Sequence, residues 1–379
     1  MFRCVLALAL LLAVPVAAPA AYGRSEAAAL DPLGTEVAAA VRAVWKEAPQ
    51  VDAALSRAAA AIAAEVAAGL PLDQAVRPEP LRLSLARAGA VAPEVGPVLV
   101  RANSREGALR RIRERLAGEP RTEKVGIGAV ERGGTTAVVV LRAPHRVELD
   151  PFPVQVAIGT PHRLTGTLIQ PLARPRVFQT PPSGAPVEQR THVEGRRFAA
   201  VVHFAKKGRY TLEVLAEGPS GPTVAAILEV WAGEAPPDRV ALPQEEPEPA
   251  TVAGQEALAA RLANELRQSR GLPPLRIDPV LGRVARAYAE ELLRTGHVAH
   301  HSPTSGALAD RLRRAGWAWR GAGENLAQAP TVRQAHQSTV ASPGHLANLV
   351  QPAWTHAGFG VARGEGTVVL VQVFAVPAE

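Results

Sequence analysis

GFGVARGEGTVVLVQVFAV, residues 358–376, reads as two strands folded about Gly364-Glu365-Gly366. Helical signals precede it. Leu258, Leu262 and Leu266 recur at helical spacing. Asp278-Pro279 gives an N-cap with proline at the first helical position, and Leu281, Val284, Ala285, Tyr288 and Leu292 continue as an apolar stripe. Thr331 with Gln334 is a capping box for a third helix, and Ser342-Pro343 opens a short fourth one. Helices leading into a closing strand pair predict an α+β domain over 251–379.

The same hairpin is written earlier in the chain. VGIGAVERGGTTAVVVLRA (125–143) lies ungapped on AGFGVARGEGTVVLVQVFA (357–375), matching Gly126, Gly128, Gly134 and Thr135 to Gly358, Gly360, Gly366 and Thr367. Upstream, Asp52, Leu55, Arg57, Ala59, Ala61, Ala63 and Glu65 match Asp278, Leu281, Arg283, Ala285, Ala287, Ala289 and Glu291. Two blocks in one order predict a duplicated α+β fold over 31–143. That copy has no histidine, and Gln74 stands where His300 would be, so it keeps a core without a site.

Between the two copies, residues 144–235 break into short apolar or alternating runs: FAAVVHFA (198–205), YTLEV (210–214) and AAILEVWA (225–232). Turns are expected at Gly208 and at Gly218–Pro222. This predicts an all-β, immunoglobulin-like sandwich, with Tyr210 placed like a tyrosine corner. PPDRVALPQEEPEPA, 236–250, reads as a Pro/Glu-rich linker. At the other end, residues 1–20 have the form of a secretory signal peptide: Arg3, an apolar run Val5–Val14, and Ala18-Pro19-Ala20. The only cysteine, Cys4, lies inside it, so a processed chain has no disulfide, thiolate nucleophile or Cys-bound zinc. No later stretch reaches the ~20 apolar residues of a membrane span. The net charge of +7 is scattered, without a nucleic-acid motif or interleaved aromatics, so nucleic acid is not an expected partner.

Six histidines crowd the last domain: His297, His300, His301, His336, His345 and His356. His345 is expected as the third residue of a helix capped by Ser342, where the helix dipole disfavours an imidazolium. A neutral imidazole suits a metal ligand or a general base. Two histidines and a carboxylate in one cleft make an open zinc site or a loop-clamping hydrogen-bond network, and the spacing leaves both open. Asn325 and Ser302 read as structural caps, and Trp317, Trp319 and Trp354 as core or cleft.

NELRQSRGLPPLRIDPVLGRVARAYAEEL (264–292), VAHHSP (298–303), DRLRRAGW (310–317), GENLA (323–327), SPGHLANLV (342–350) and GFGV (358–361) follow in the order of the bacterial CAP superfamily (cysteine-rich secretory, pathogenesis-related or SCP-like extracellular domains). The region 251–379 resembles that family in a cysteine-free form. The resemblance implies an α-β-α sandwich in a secreted or periplasmic protein, and makes the 31–143 copy a degenerate CAP-like domain. It implies a cleft of two His and one or two Glu that in some members binds zinc or another divalent cation. By that pattern His300, Glu324 and His345 are the matching residues, with His301 as the alternative to His300. A second glutamate of many eukaryotic members falls near Ser342 here, and a usual aromatic falls at Thr339. The implied function is non-enzymatic binding of a lipid, cell-wall polymer or protein ligand. The alternative is a divalent-metal-dependent hydrolase or peptidase, with Glu324 as base.

Overall fold

The computed structural model describes residues 20–45, 47–241 and 247–378. Apart from Ala20, the expected signal peptide lies outside the described residues. No helix among them is long and apolar enough to cross a membrane.

In the C-terminal domain the hairpin arms are His356–Gly364 and Thr367–Pro377. They sit inside a four-stranded sheet. Trp319–Ala329 adds antiparallel to the second arm, and the short strand Arg276–Ile277 adds parallel to the first. The helix Pro279–Thr295 covers one face through Leu281, Ala285, Tyr288 and Leu292, packed on Val369, Val371, Val373 and Ala375. The helices Val252–Ser269, Val332–Ala341 and Pro343–Leu349 cover the other, where Leu258, Ala263, Leu346 and Leu349 meet Phe359, Val361, Leu370 and Phe374. Each fully buried Leu or Phe contributes at most about 1.5–3 kcal/mol. The layering is α-β-α.

The closing pair of the sequence reading is therefore half of a sheet. Trp319–Ala329 reads WRGAGENLAQA, without alternation. Its glycines have a packing reason: a Cβ on Gly323 would lie 3.0 Å from Trp354 and 3.1 Å from Asn348.

The N-terminal domain has the same sheet order, with Gln50–Val51 parallel to Lys124–Arg132, then Thr135–Ala143 and Gly96–Ala102 antiparallel. The helix Ala53–Ala67 lies across it as Pro279–Thr295 does in the last domain. The alternating glycines of both hairpins answer that helix. A Cβ on Gly358 or Gly360 would meet the backbone of Leu281 or of Ala285 and Arg286 at 2.1 Å. On Gly126 or Gly128 it would meet Leu55 at 2.3 Å or Ala59 and Ala60 at 2.2 Å. Only glycine admits such an approach of helix to sheet.

The middle of the chain is a two-sheet β-sandwich. One sheet runs Val187–Gln189, Ala173–Thr180, Gly208–Gly218, Gly221–Ala232, Gln155–Val156; the other runs Thr191–Glu194, Arg197–His203, Pro161–Leu168, Val147–Leu149. Leu164, Phe198, Val202, Phe204, Leu212, Val214, Leu228 and Val230 fill the space between them. The long hairpin continues to Gly218 and resumes at Gly221, so the turn narrows to Pro219-Ser220. The Tyr210 hydroxyl accepts the Lys206 N–H at 2.9 Å. Buried Tyr22, upstream of the first domain, packs into this sandwich and exchanges hydrogen bonds with the Glu229 backbone.

Candidate functional site

His300 follows the helix Pro279–Thr295 on a loop anchored by Tyr288, whose hydroxyl donates to the Ala299 carbonyl. Burial pushes that phenol up to about 12, against the opposing pull of Arg311. Glu324 projects from the strand Trp319–Ala329, and its side chain is 4% exposed. His300 Nδ1 and Glu324 Oε1 are 3.0 Å apart. The second oxygen accepts from Arg311 at 2.5 Å. Arg311, on the helix Leu308–Arg314, lies 3.4 Å from the centroid of the Tyr288 ring. A charge-assisted pair at this burial holds the carboxylate in one orientation.

His345 stands on the helix Pro343–Leu349. Its Nδ1 is 2.9 Å from Ser342 Oγ. Burial depresses its pKa to about 4, and repulsion by His300 and Arg82 adds to this. The imidazole is thus neutral at physiological pH, for a reason other than the expected helix dipole. Ser342 does not cap this helix. Its hydroxyl donates to Glu213 Oε2 at 2.5 Å, and Glu213 Oε1 accepts the Gly344 N–H at 2.9 Å. A carboxylate from the β-sandwich does the capping, while the serine hydroxyl is turned to Glu213 and His345.

Asn325 ties the two halves of the site together. It donates to the His345 carbonyl at 2.9 Å and to Gln372 Oε1 at 3.0 Å, and accepts from Asn348 at 3.0 Å. Ser302 is bonded to Glu291 and accepts the Thr304 and Ser305 N–H groups, shaping the turn after His301. His301 itself is exposed, and its backbone N–H donates to Ser220 of the sandwich at 3.2 Å. His297 is exposed, His336 is buried in a helix, and His356 packs edge-on to Trp317. Of the sequence candidates, His300 and Glu324 are in direct contact, and His345 is held beside them through Asn325. Arg311, Glu213 and Arg82 were not singled out by the sequence. Arg311 lies in a run of arginines where only packing tells the buried one, and the other two come from other domains.

As they stand these residues do not offer a divalent cation an open set. Both Glu324 oxygens are engaged, one by a guanidinium that would repel the ion. Among the described residues no three His, Cys, Asp or Glu side chains gather as metal ligands.

The family model of the cysteine-rich secretory proteins, CAP, matches residues 260–374. The C-terminal domain is a CAP domain. Over 113 residues the chain is 34% identical to the uncharacterised protein YkwD of Bacillus subtilis, a match that takes 30% of this chain and spans 44% of that relative. The chain also matches the solved structure of an extracellular SCP-domain protein from Bacillus anthracis at 17% identity, covering 56% of this chain and 82% of that one, with a TM-score of 0.32. A cysteine-rich secretory protein from Staphylococcus aureus matches at 12% identity, covering 70% and 91%, with a TM-score of 0.29. In this CAP domain the site carries a His–Glu–Arg chain on one side and a half-buried, neutral histidine on the other.

Proposed function

We propose that this is a secreted or periplasmic envelope protein whose CAP cleft binds a ligand (a lipid, a cell-wall polymer or a protein) without catalysing a reaction. The observation that carries this reading is the engagement of Glu324. A general base needs access to the reacting proton, and Glu324, with its side chain 4% exposed, is held between Arg311 on one oxygen and His300 on the other. What remains is a fixed array of donors and acceptors, which suits recognition. The N-terminal domain is read as a degenerate CAP copy that serves packing. Its shared sheet order and helix-facing glycines support this. The middle domain is read as immunoglobulin-like, supported by its two-sheet strand order and the Tyr210–Lys206 bond.

The metal-dependent hydrolase is the second reading. It is favoured by one observation: burial first, and repulsion by His300 second, keep the His345 imidazole neutral beside a second histidine. Calorimetric zinc titration of the whole chain, beside His300→Ala/His345→Ala, tests the metal site: stoichiometric zinc that disappears in a folded double variant would raise the hydrolase reading, and no uptake would sink it. The binding reading expects co-sedimentation with anionic vesicles or isolated cell wall that the double variant loses, and no cleavage product. A cleavage product that the folded double variant does not form would overturn it.

A further inference from the structure

The CAP cleft is built against a second domain. Glu213, from the strand Gly208–Gly218 of the sandwich, is fully buried against Ser342 and Gly344. The tip of the same hairpin backs onto the other side of the cleft. Ser220 accepts from the His301 N–H, and a Cβ on Gly221 would lie 3.3 Å from His300 Cβ. Arg82 of the first domain donates to the Ala341 carbonyl at 2.7 Å, so all three domains meet at the foot of the His345 helix. Burying a carboxylate costs several kcal/mol even when it is well bonded. A neutral side chain could cap Gly344 without that cost. Burial raises the Glu213 pKa, while the bonds from Ser342 and Gly344 and the charge of Arg82 oppose that rise and favour the ionised form.

An ionised carboxylate only accepts. With Gly344 on one oxygen of Glu213, the other takes the sole proton of the Ser342 hydroxyl. Ser342 Oγ, 2.9 Å from His345 Nδ1, can then only accept from that ring. The proton must sit on Nδ1, which leaves Nε2 as a lone pair.

We propose that the β-sandwich completes the CAP cleft: Glu213, through Ser342, is a positioning residue that fixes His345 as the Nδ1–H tautomer, and the Ser220–Gly221 turn walls the His300 side. This deepens the binding reading and rests on the cleft being the working site. A ligand at His345 meets a hydrogen-bond acceptor and therefore brings a donor, a hydroxyl or an N–H. Detached from the sandwich, the same CAP domain would present a different face.

Glu213→Gln is the discriminating variant. It keeps the size and the Gly344 bond, but its second atom becomes an NH2 that donates to Ser342. The serine hydroxyl is then released to donate to Nδ1, which favours moving the ring proton to Nε2. Nitrogen-15 NMR of histidine-labelled whole chain at neutral pH, assigned with His345→Gln, reads the tautomer directly. The expected result is Nδ1–H in the wild type and Nε2–H in Glu213→Gln. A wild-type Nε2–H, or a tautomer unchanged in the variant, would overturn the positioning role. Hydrogen exchange on Glu213→Ala tests the wall. Amides of 342–349 and 299–302 should exchange at least tenfold faster, with 281–292 unaltered; unchanged rates at 342–349 in the folded variant refute it. Neither readout uses a ligand, so failure of vesicle or cell-wall binding would sink the binding reading and leave the tautomer assignment standing.

Discussion

Arg311→Met removes the cation that holds Glu324, and the cost can be worked from the geometry. Both side chains are about 95% buried, at 5% and 4% exposed, with 2.5 Å between the bonded atoms. Breaking a buried pair by removing one partner costs about 3–5 kcal/mol, because the other charge stays uncompensated. The His300 contact at 3.0 Å survives, so the value should fall near the lower end, about 3 kcal/mol. Methionine retains most of the packing on the Tyr288 ring, which isolates the electrostatic part. Glu324→Gln in the same background should recover roughly half of the loss, since a neutral amide no longer needs the cation. The assay is urea denaturation read by hydrogen exchange on peptides of the C-terminal domain, because a three-domain chain does not unfold in one two-state step. If Arg311→Met costs less than about 1 kcal/mol, or the double variant is no better than the single one, the pair is not the buried, coupled unit described here.

Gly360→Ala should destabilise the same domain by about 2–3 kcal/mol, because its Cβ would lie 2.1 Å from the backbone of Ala285 and Arg286. Gly282→Ala, one turn back on that helix with open space around its Cβ, should instead stabilise by about 0.5–1 kcal/mol. Thermal denaturation ranks the pair, and equal signs would refute the packing argument. His336 is buried with its pKa lowered to about 4, chiefly by desolvation. Unfolding restores its ordinary value near 6.5, so the unfolded chain binds the extra proton between those limits. The stability it contributes is present above about pH 6.5 and is lost as pH falls toward 4, by roughly 3 kcal/mol in all. His336→Leu should flatten that part of a stability–pH curve, and an unchanged slope would refute it.

What the sequence disclosed follows from how local each cause is. The N-cap at Asp278, the one at Thr331 and the final hairpin are short-range devices, and each appears where the residues place it: Asp278 accepts from Val280 and Leu281, Thr331 accepts from Gln334, and the arms meet at Gly364 and Thr367. Trp319–Ala329 was not legible as a strand, because its pattern answers Trp354 and Asn348 across the fold. The same holds in the cleft. GENLA and SPGH mark Glu324 and His345, but the partners that set their chemistry, Arg311 and Glu213, sit 13 and 129 positions away along the chain from Glu324 and Ser342. Ser342 was expected to cap its helix because capping is usually local; the capping group arrives from another domain.

The two α+β domains together say what the polar residues of the cleft are for. Sheet register aligns them: Glu324 opposite Val373 and Asn325 opposite Gln372 in one, Pro97 opposite Leu141 and Val98 opposite Val140 in the other. Asn325 and Gln372 are fully buried, and their N-terminal counterparts are buried valines. The first domain also passes from the helix Arg105–Ala117 to its last hairpin without a counterpart of the His345 helix. The scaffold therefore stands with an apolar pair and no histidine. Gln372 Nε2 is buried without a hydrogen-bond partner, and an unpaired buried donor costs stability that well-packed valines do not. Stability does not ask for Glu324, Asn325 or Gln372, and their presence in one domain and absence from the other is the pattern that the proposed binding role expects.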